Sequence, residues 1–470
     1  MLALRPVRVE PVALAALAEV AGTVVVGPGG STADALVTGI THDSRAVQPG
    51  DLYAALPGAH VHGADYVPEA RERGAVAVLS DHPIDGVPTI VSADARGVLG
   101  AVAARVYGEP SRHLAVYGVT GTNGKTTTAY LIESGLRAAG RTTGLIGTIE
   151  SHVAGQVVPS VRTTPEATEL QALLAVMVER GVQACAMEVS SHALSLGRVS
   201  GTRFVAALFT NLSQDHLDFH ADMEEYFAAK ASLFTRAFTD LAIIDVTDPW
   251  GARLADGIDL DVVRVGAAAD AHTQLLGDFN ARNAALAVAA LIATGVDEQL
   301  ARDGVAALPG VPGRLERIDE GQPFLAVVDY AHTPEAVARL LTALRALTSE
   351  RLIVVLGCGG DRDAGKRPLM GAAAATGADV AVFTDDNPRS EASSDILAAM
   401  LAGVPVDVRD RVQVEPDRAA AIARAVGLAA AGDTVVVAGK GHEKGQDVGG
   451  VVTPFDDRDV LRRSIKAAFP

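Results

Sequence analysis

The chain contains little cysteine, no long apolar run and fewer basic than acidic residues. Its two cysteines, Cys185 and Cys358, both lie in apolar runs, so one disulfide is the most they can form, and a disulfide framework or a zinc site is excluded. No apolar run approaches the roughly 18 residues of a transmembrane helix, and the N-terminus lacks the charged start and apolar centre of a signal peptide. Lys and Arg total 40 against 57 Asp and Glu, a formal charge of −17, which argues against a nucleic-acid-binding protein. We therefore expect a cytoplasmic protein that neither inserts into a membrane nor binds nucleic acid.

Length and composition predict several folded domains. Apolar residues make up 49% of the 470 positions and charged residues 21%, as in an ordinary globular chain. At roughly 150 residues per domain, this length favours three domains. We place them at residues 1–107, 108–311 and 312–470, because "PGVPGR" at 309–314 has the composition of a linker. The second and third segments alternate short apolar runs with helical patterns, which predicts α/β domains with largely parallel sheets.

The glycine-rich segment "GVTGTNGKTTTAYLI" at 118–132 follows a predicted strand and opens a predicted helix. Glycines allow the backbone to wrap a phosphate chain, and a helix N-terminus adds N–H donors and a positive dipole. Lys125 would reach the β and γ phosphates, and Thr126 would contact Mg²⁺. The general pattern has a glycine where this chain has Val119, five residues before Gly124. The segment nevertheless predicts a nucleotide-phosphate-binding loop.

Further polar residues follow the next predicted strands. Glu188 lies at the end of one apolar run, and Asp215 and His216 lie just past another. A carboxylate and a histidine at neighbouring strand ends could hold a metal beside the phosphate loop, although either residue alone is typical of a hydrogen-bonded loop. Lys230 lies in "MEEYFAAKASLF", a predicted amphipathic helix, and from this pattern alone we expect its ammonium group to reach solvent.

Polar, glycine-containing loops also follow the predicted strands of the third segment. They are "DYAHTPEA" at 329–336, "GCGGDRDAGKRPLM" at 357–370, "TDDNPRSE" at 384–391 and "AGKGHEKGQ" at 438–446. In open α/β sheets, ligands bind outside the carboxyl ends of the strands, so these loops predict one shared crevice. Arg362 and Arg389 could bind a carboxylate there and Glu443 an ammonium group, which suits a zwitterionic ligand. Any one of these charges could instead be an ordinary solvated loop residue.

Together these segments resemble the Mur ligases of peptidoglycan synthesis. The resemblance is carried by "GTNGKTTT", "MEVSSHAL", "TNLSQDHLDFH", "DYAHTPEA", "GCGGDRDAGKRPLM", "DNPR" and "GKGHE", and it extends from "THDSR" at 41–45 nearly to the C-terminus. "GTNGKT" is shared by the whole superfamily, including folylpolyglutamate synthases. The segments "GCGGDRDAGKRPLM" and "DNPR" point to the branch that adds diaminopimelate.

The resemblance implies a fold and an activity. The fold is a three-domain α/β architecture: a small N-terminal domain that binds the UDP-linked substrate, a central P-loop ATPase-like domain with a parallel sheet, and a C-terminal Rossmann-like domain that binds the amino acid. The activity is ATP-dependent and Mg²⁺-dependent addition of diaminopimelate to the D-Glu side-chain carboxylate of UDP-MurNAc-L-Ala-D-Glu through an acyl phosphate. This is a step of cytoplasmic peptidoglycan precursor synthesis, hence of cell-wall biogenesis and cell division. The implied partners are these small molecules, and we expect a monomer.

The resemblance also implies roles for individual residues. The catalytic group comprises Lys125, Glu188, His216 and Lys230. The metal ligands are Thr126, Glu188, His216 and Lys230, the last as a carbamate. ATP is implied to contact Gly121, Thr122, Asn123, Gly124, Lys125, Thr126, Thr127, Asn283, Arg314 and Asp329. The UDP-linked substrate is implied to contact His42, Ser44, Ala59, His60, Val61, Thr163, Thr164, Ser190 and Arg198. Diaminopimelate is implied to contact Arg362, Asp386, Asn387, Pro388, Arg389, Gly439 and Glu443. Leu196 departs from the family pattern, which often has a polar residue there.

Three other interpretations remain at this stage. A folylpolyglutamate synthase would use the same ATP-binding fold on another acceptor, but "GGDRD", "DNPR" and the N-terminal segment argue against it. A lysine-adding Mur ligase is disfavoured by Arg389, which lysine would leave unpaired. A nucleotide-binding regulatory module without ligase activity is disfavoured because Lys125, Glu188, His216 and Lys230 are all present.

Overall fold

The structure is a computed structural model that describes residues 4–27, 34–58, 60–217, 219–266 and 271–469. By the density of its internal contacts the chain separates into two compact units. The first comprises Met1–His272 with Arg282–Ala307, and the second comprises Thr273–Ala281 with Leu308–Pro470. The first unit contains a five-stranded and an eight-stranded sheet, and the second contains a six-stranded sheet.

The N-terminal part of the first unit is a small α/β layer. Its elements are β1 (Val12–Ala13), α1 (Leu14–Val20), β2 (Val25–Val26), β3 (Leu36–Val37), β4 (Gly39–Thr41), β5 (Asp51–Ala54), α2 (Val67–Glu72), β6 (Ala77–Ser80), β7 (Thr89–Val91) and α3 (Ala95–Val106). The main sheet has the order β2-β7-β6-β5-β4, in which β4 to β7 are parallel. Apolar side chains of α1, α3 and the sheet, such as Leu17, Leu52 and Leu99, pack into one core.

The larger part of the first unit contains the glycine-rich loop. Its elements are β8 (Ala115–Thr120), α4 (Lys125–Ala138), β9 (Thr143–Ile146), β10 (Glu150–Val153), β11 (Gln156–Pro159), α5 (Ala167–Glu179), β12 (Ala184–Glu188), α6 (Ser191–Ser195), β13 (Ala206–Phe209), α7 (Met223–Ala231), β14 (Leu241–Asp245), α8 (Pro249–Gly257), β15 (Asp261–Val265), α9 (Asp278–Ala293) and α10 (Glu298–Ala306). The sheet order is β11-β10-β9-β12-β8-β13-β14-β15. In this order, every neighbouring pair from β9 through β12, β8, β13 and β14 to β15 is parallel. The pairs β9–β10 and β10–β11 are antiparallel.

The second unit repeats this architecture. Its elements are β16 (Glu316–Ile318), β17 (Leu325–Asp329), α11 (Pro334–Arg345), β18 (Leu352–Cys358), α12 (Lys366–Gly377), β19 (Val380–Asp385), α13 (Ser393–Ala402), β20 (Val412–Val414), α14 (Arg418–Leu428), β21 (Thr434–Ala438), β22 (Gly445–Val448), β23 (Val451–Pro454) and α15 (Asp457–Ala468). The sheet order is β16-β17-β21-β18-β19-β20, parallel except for β16. β18 is buried throughout because helices cover both faces of the sheet, which explains its continuous apolar sequence.

These observations confirm the predicted α/β class and the parallel sheets of the second and third segments. The strand predicted before the glycine-rich segment is β8, and the helix predicted after it is α4. Cys185 and Cys358 are both free, so no disulfide joins them. Within the described ranges no helix combines the length and the hydropathy needed to cross a bilayer. The boundary proposed between residues 107 and 108 falls inside the first unit and remains a proposal.

Candidate functional site

The glycine-rich loop joins β8 to α4 at the carboxyl edge of the sheet. Gly121 and Gly124 have φ angles of +143° and +86°, a region that residues with a Cβ rarely adopt. A Cβ atom at Gly121 would overlap the Thr210 hydroxyl, and one at Gly124 would overlap the Asn283 amide. Both glycines are therefore needed for the loop to pass so close to its neighbours.

Polar groups that follow β13 hold this loop in place. The backbone N–H of Asn123 donates to Asn211 Oδ1 at 3.0 Å, and the Thr210 hydroxyl donates to the Asn123 carbonyl at 2.6 Å. The backbone N–H of Thr122 donates to the Asn211 carbonyl at 2.8 Å. These hydrogen bonds hold the loop in its observed shape, and Thr126 and Thr127 follow it as buried residues in the first turn of α4.

Two lysines converge on this loop. Lys125 Nζ donates to the carbonyls of Gly121 and Thr122 at 2.9 and 2.8 Å, and Lys230 Nζ donates to the same Gly121 carbonyl at 2.8 Å. Lys230 is only 1% exposed, so the expectation that it reaches solvent is wrong. Burial, reinforced by the nearby charge of Lys125, holds the pKa of Lys230 well below its usual range. Its side chain is therefore an inward-facing amine that favours the neutral form.

Glu188 ends β12 beside the loop, and its carboxylate has a fixed orientation. The side chain is buried, with an exposure of 1%. Its Oε2 accepts from the Thr126 hydroxyl at 2.9 Å and from the Thr148 hydroxyl at 3.1 Å, and its Oε1 accepts from the Thr148 N–H at 2.7 Å. The structure thus brings Thr126 and Glu188 together, as the sequence predicts, and adds Thr148, which no sequence motif marks.

Asp215 and His216 lie in the loop after β13. His216 has a φ of +55°, and its Nε2 lies 3.5 Å from Asp215 Oδ2. Burial lowers the pKa of His216 to about 4 despite the opposing charge of Asp215, and the charge of Lys125 lowers it further. His216 is therefore neutral at pH 7, and a neutral imidazole can offer a lone pair to a cation.

The residues implied to contact the muramoyl-peptide are linked by hydrogen bonds near the end of β12. The Thr164 hydroxyl donates to the Glu188 carbonyl at 2.9 Å and accepts from the Ser190 N–H at 3.1 Å. The Thr163 hydroxyl lies 3.0 Å from that of Thr148. Arg198 forms an ion pair with Glu166 at 2.8 Å and donates to the Thr164 carbonyl at 3.4 Å. These side chains form a polar rim that continues from the phosphate loop.

The N-terminal candidates are more scattered. His42 Nδ1 lies 3.0 Å from the Thr168 hydroxyl at the start of α5. Ser44 is 7% exposed and donates to Glu69 at 2.8 Å. His60 and Val61 are exposed beside a turn that the Gly58 N–H closes onto the Val61 carbonyl. Ala59 lies outside the described residues.

In the second unit, the polar loops share one edge of the sheet, as predicted. They follow β17, β18, β19 and β21, which are parallel neighbours, so the carboxyl ends of these strands face the same way. Gly439 has a φ of +110°, and a Cβ atom there would lie 2.8 Å from Asp386 Oδ2. The loop after β21 therefore approaches the loop after β19 closely only because residue 439 is glycine.

A hydrogen-bonded cluster joins these two loops. The Asn387 amide donates to Asp386 Oδ1 and to Glu443 Oε2, both at 2.9 Å. Its Oδ1 accepts from Lys440 Nζ and from the Asp447 N–H, both at 3.0 Å. Burial raises the pKa of Asp386, although the charges of Arg418 and Lys440 oppose this shift. The Asn387 side chain is thus fixed by four hydrogen bonds.

Arg389 and Arg362 lie on adjoining loops. Arg389 has a φ of +51°, its side chain donates to the Gly360 carbonyl, and the Gly360 N–H donates to the Asn387 carbonyl at 2.9 Å. Pro388 lies against Gly360, where a Cβ atom would overlap the Pro388 carbonyl. Arg362 is exposed. The two guanidinium groups are therefore carried by loops that pack directly on each other.

The residues assigned to adenosine divide between the units. In the first, Asn283 is 5% exposed and lies against Gly124. In the second, the Arg314 guanidinium lies 4.6 Å from the centroid of the Tyr330 ring. Asp329 accepts from the backbone N–H groups of Leu315 and Ala331 at 2.7 and 2.8 Å, and burial raises its pKa. Asp329 therefore shapes the backbone at the end of β17.

Comparison with known proteins assigns the chain to a family. Family models match as a Mur ligase family catalytic domain at residues 36–110, a Mur ligase middle domain at 119–271 and a Mur ligase glutamate ligase domain at 313–441. A protein of Streptomyces coelicolor named UDP-N-acetylmuramoyl-L-alanyl-D-glutamate--2,6-diaminopimelate ligase is 54% identical over 501 residues, which cover 98% of both chains. The chain belongs to the Mur ligase family.

Solved structures agree with this assignment. A structure titled UDP-N-acetylmuramoyl-L-alanyl-D-glutamate--2,6-diaminopimelate ligase has a TM-score of 0.68 and 31% identity, and the match covers 97% of this chain and 99% of the other. Mycobacterium tuberculosis folylpolyglutamate synthase, complexed with ADP and AMPPCP, has a TM-score of 0.59 and 21% identity over 72% of this chain and 91% of its own. That likeness shows a shared fold. It gives the folylpolyglutamate alternative no support beyond the fold.

The sequence did not identify every polar residue at the two edges of this Mur ligase. Thr148, which orients Glu188, lies in a loop with no motif. Lys440 lies inside "GKGHE", but a single lysine between glycines has the appearance of a solvated loop residue. Arg418 and Asp457 form an ion pair in which both side chains are 0% exposed, although they lie 39 positions apart in the sequence. Only the packing of α14 against α15 reveals that pair.

Proposed function

We propose that this Mur ligase adds diaminopimelate to the D-Glu side-chain carboxylate of UDP-MurNAc-L-Ala-D-Glu with ATP as co-substrate. The observation that carries the proposal is the convergence of Lys125, Lys230 and Glu188 on the phosphate loop. It occurs in a chain whose 54% identical relative bears the name of that ligase. A binding module that had lost ligase activity would have no need to bury a second lysine there.

The chemistry begins with activation of the acceptor carboxylate. Its oxygen attacks the γ-phosphorus of ATP, and the bond between this phosphorus and the β-phosphate oxygen breaks. ADP departs, and the acceptor carboxylate becomes an acyl phosphate. The diaminopimelate amine then attacks the acyl carbon, a proton is lost, and inorganic phosphate departs from the tetrahedral intermediate. Lys125 is placed to neutralise phosphate charge, which together with positioning is most of what phosphoryl transfer requires. No covalent enzyme intermediate is needed.

The donors around the loop fit a magnesium ion and a carbamate. Mg²⁺ prefers oxygen ligands, and Thr126 and Glu188 offer a hydroxyl and an oriented carboxylate, with neutral His216 beside the same loop. The uncharged form of the Lys230 amine, which burial favours, can attack the carbon of CO₂, form an N–C bond and lose a proton, which gives a carbamate with two further oxygens. We propose that Thr126, Glu188, His216 and carbamoylated Lys230 hold Mg²⁺, which would supply positive charge to the phosphates.

Each substrate is assigned a set of candidate contact residues. We propose that Thr163, Thr164, Ser190 and Arg198 contact the muramoyl-peptide. His42, Ser44, Ala59, His60 and Val61 are proposed to contact the uridine nucleotide. The adenosine contacts proposed are Asn283, Arg314 and Asp329. For diaminopimelate we propose Arg362, Asp386, Asn387, Pro388, Arg389, Gly439 and Glu443.

The arginines supply a reason for selectivity. Lysine has the chain and distal amine of diaminopimelate but lacks its distal carboxylate. Where the bound ligand excludes water from the half-buried Arg389, lysine would leave that guanidinium without an anionic partner at a cost of about 2–5 kcal/mol, and the exposed Arg362 would add less. We place the reaction in the cytoplasm, where ATP is available. A monomer remains a prediction.

The test is phosphate release from ATP and Mg²⁺ with UDP-MurNAc-L-Ala-D-Glu, comparing meso-diaminopimelate, LL-diaminopimelate and L-lysine. We expect release that requires the acceptor and one diaminopimelate isomer, with little from lysine. Lys125→Ala should abolish release in a protein that still folds. Equal rates with lysine would refute the arginine argument alone, whereas no release with any amino acid would refute the ligase.

A further inference from the structure

Lys440 is a buried cation among the residues proposed to bind diaminopimelate, and the family resemblance assigns it no role. Its side chain is 0% exposed, although it lies in a loop. The flanking Gly439 and Gly441 have φ angles of +110° and +54°, and the Glu443 N–H donates back to the Lys440 carbonyl at 3.0 Å. This tight turn directs the lysine inward, towards the loop after β19.

The ammonium group of Lys440 is surrounded by the side chains of that proposed site. Lys440 Nζ donates to Asn387 Oδ1 at 3.0 Å and to Glu443 Oε2 at 3.1 Å, and it lies 3.6 Å from Asp386 Oδ1. One cation therefore contacts three of the side chains in the cluster. Because lysine can only donate, it also fixes the direction of the Asn387 amide, whose nitrogen then donates to the two carboxylates.

The charges of this cluster do not cancel. By formal charge, Asp386 and Glu443 contribute two negative charges and Lys440 contributes one positive charge. Arg418 also acts on Asp386, but it is paired through two nitrogens with Asp457. The cluster is therefore left with about one negative charge, and Glu443, at 35% exposure, is its most exposed carboxylate. An ammonium group of an amino-acid substrate would complete the charge balance.

We infer that Lys440 is a positioning residue that sets the selectivity of this edge for an amino-acid ammonium group. It holds Glu443 and Asn387 in one arrangement beside Asp386, so that carboxylate oxygens in excess of the one cation face the ligand. The inference rests on the proposed function, because it takes diaminopimelate as that ligand. Lys440 acts through Glu443 and contacts no reacting atom.

A double-mutant cycle tests this inference in the full-length protein. Lys440→Met, Glu443→Gln and the double variant would be compared by steady-state phosphate release. We expect Lys440→Met to raise the KM for diaminopimelate about 10- to 100-fold, with the KM values for ATP and the UDP-linked acceptor changed less than about twofold. Because Lys440 acts through Glu443, the double variant should be no worse than the more damaging single variant.

The matched control is Arg351→Met. Arg351 pairs with Asp433 at 2.7 Å at the amino ends of β18 and β21, the opposite edge of the same sheet. This variant should leave the KM for diaminopimelate unchanged. If Lys440→Met does not fold, as judged by its circular dichroism spectrum and thermal midpoint, Lys440→Arg serves instead and should stay within about fivefold of the wild-type KM.

The outcomes separate the two proposals. An inactive wild-type protein would remove the proposed function. Active wild type with an unchanged KM for diaminopimelate in Lys440→Met would overturn only the role of Lys440. So would multiplicative effects of the two substitutions, or a parallel rise of all three KM values, because these are the results of general structural damage.

Discussion

Breaking the buried ion pair between Arg418 and Asp457 by removing one partner is expected to destabilise the second unit strongly. Arg418 Nε and Nη2 donate to the two carboxylate oxygens of Asp457, both at 2.7 Å, and both side chains are 0% exposed. Arg418 also donates to the carbonyls of Asp385 and Ala438, the last residues of β19 and β21, at 3.1 and 2.9 Å. One side chain thus ties α15 to the strand ends from which the diaminopimelate-site loops begin.

Arg418→Met would leave Asp457 charged and buried without its partner. Such a loss costs about 3–5 kcal/mol, against a total of about 5–15 kcal/mol for a typical domain. For a domain of this size, each kcal/mol lowers the unfolding midpoint by about 2–4 °C. We therefore expect the calorimetric transition of the second unit to fall by roughly 6–20 °C. Hydrogen exchange should also quicken in residues 386–391 and 439–444.

Two control variants test whether burial of the unpaired charge causes the loss of stability. Arg317→Met breaks an exposed pair with Asp319, 64% and 56% exposed at 2.8 Å, and should cost about 0–1 kcal/mol. Arg418→Met combined with Asp457→Leu removes the stranded charge and should be more stable than Arg418→Met alone. A midpoint for Arg418→Met within about 2 °C of wild type, or equal to that of Arg317→Met, would refute the reasoning.

Two further predictions concern the first unit. His152 is bonded to Glu133 and Glu150 at 2.9 and 3.0 Å; burial alone would lower its pKa, but these carboxylates outweigh it and raise the pKa to about 9. Because the folded pKa lies above the unfolded value of about 6.5, the stabilisation is present below about pH 6.5 and lost as pH rises through about 9. The shift corresponds to about 3 kcal/mol, which solvent screening reduces to about 1–2 kcal/mol. In urea unfolding, the free energy of unfolding of wild type should exceed that of His152→Gln at pH 6.5, and this excess should disappear by about pH 9.5. An excess that does not change with pH would contradict the prediction. Thr148→Val removes the hydroxyl that donates to Glu188 but keeps the N–H. It should raise the Mg²⁺ concentration for half-maximal activity roughly 10-fold, whereas Thr148→Ser should not, and an unchanged Mg²⁺ requirement in Thr148→Val would rule out the orienting role.

Much of the second unit follows from its sequence because its strands are continuous apolar runs covered on both faces. β18 and β21 are buried throughout, so no alternation blurs their extent, and the polar loop after each strand marks its carboxyl end. The order of the strands is a different matter. β21 lies between β17 and β18 although it is the last of the three in the chain, and a local pattern carries no information on which strands become neighbours. For the same reason, the sequence does not predict that β10 and β11 extend the sheet of the first unit as antiparallel strands.

Lys230 shows how a local pattern can mislead about a functional residue. In α7 it lies four positions after Tyr226, and the two share a helix face. Tyr226 is 1% exposed, and its ring centroid lies 4.6 Å from Lys230 Nζ, so this face is turned inward. Burying a charged lysine there, where the Gly121 carbonyl accepts its hydrogen bond, costs free energy, and burial therefore lowers the pKa of Lys230 and favours the uncharged amine. The charge of lysine makes exposure the reasonable expectation, and burial disfavours that charge. A neutral amine beside the phosphate loop is also the form that can react with CO₂, so the energetic cost of burying Lys230 and its proposed carbamoylation have the same physical cause.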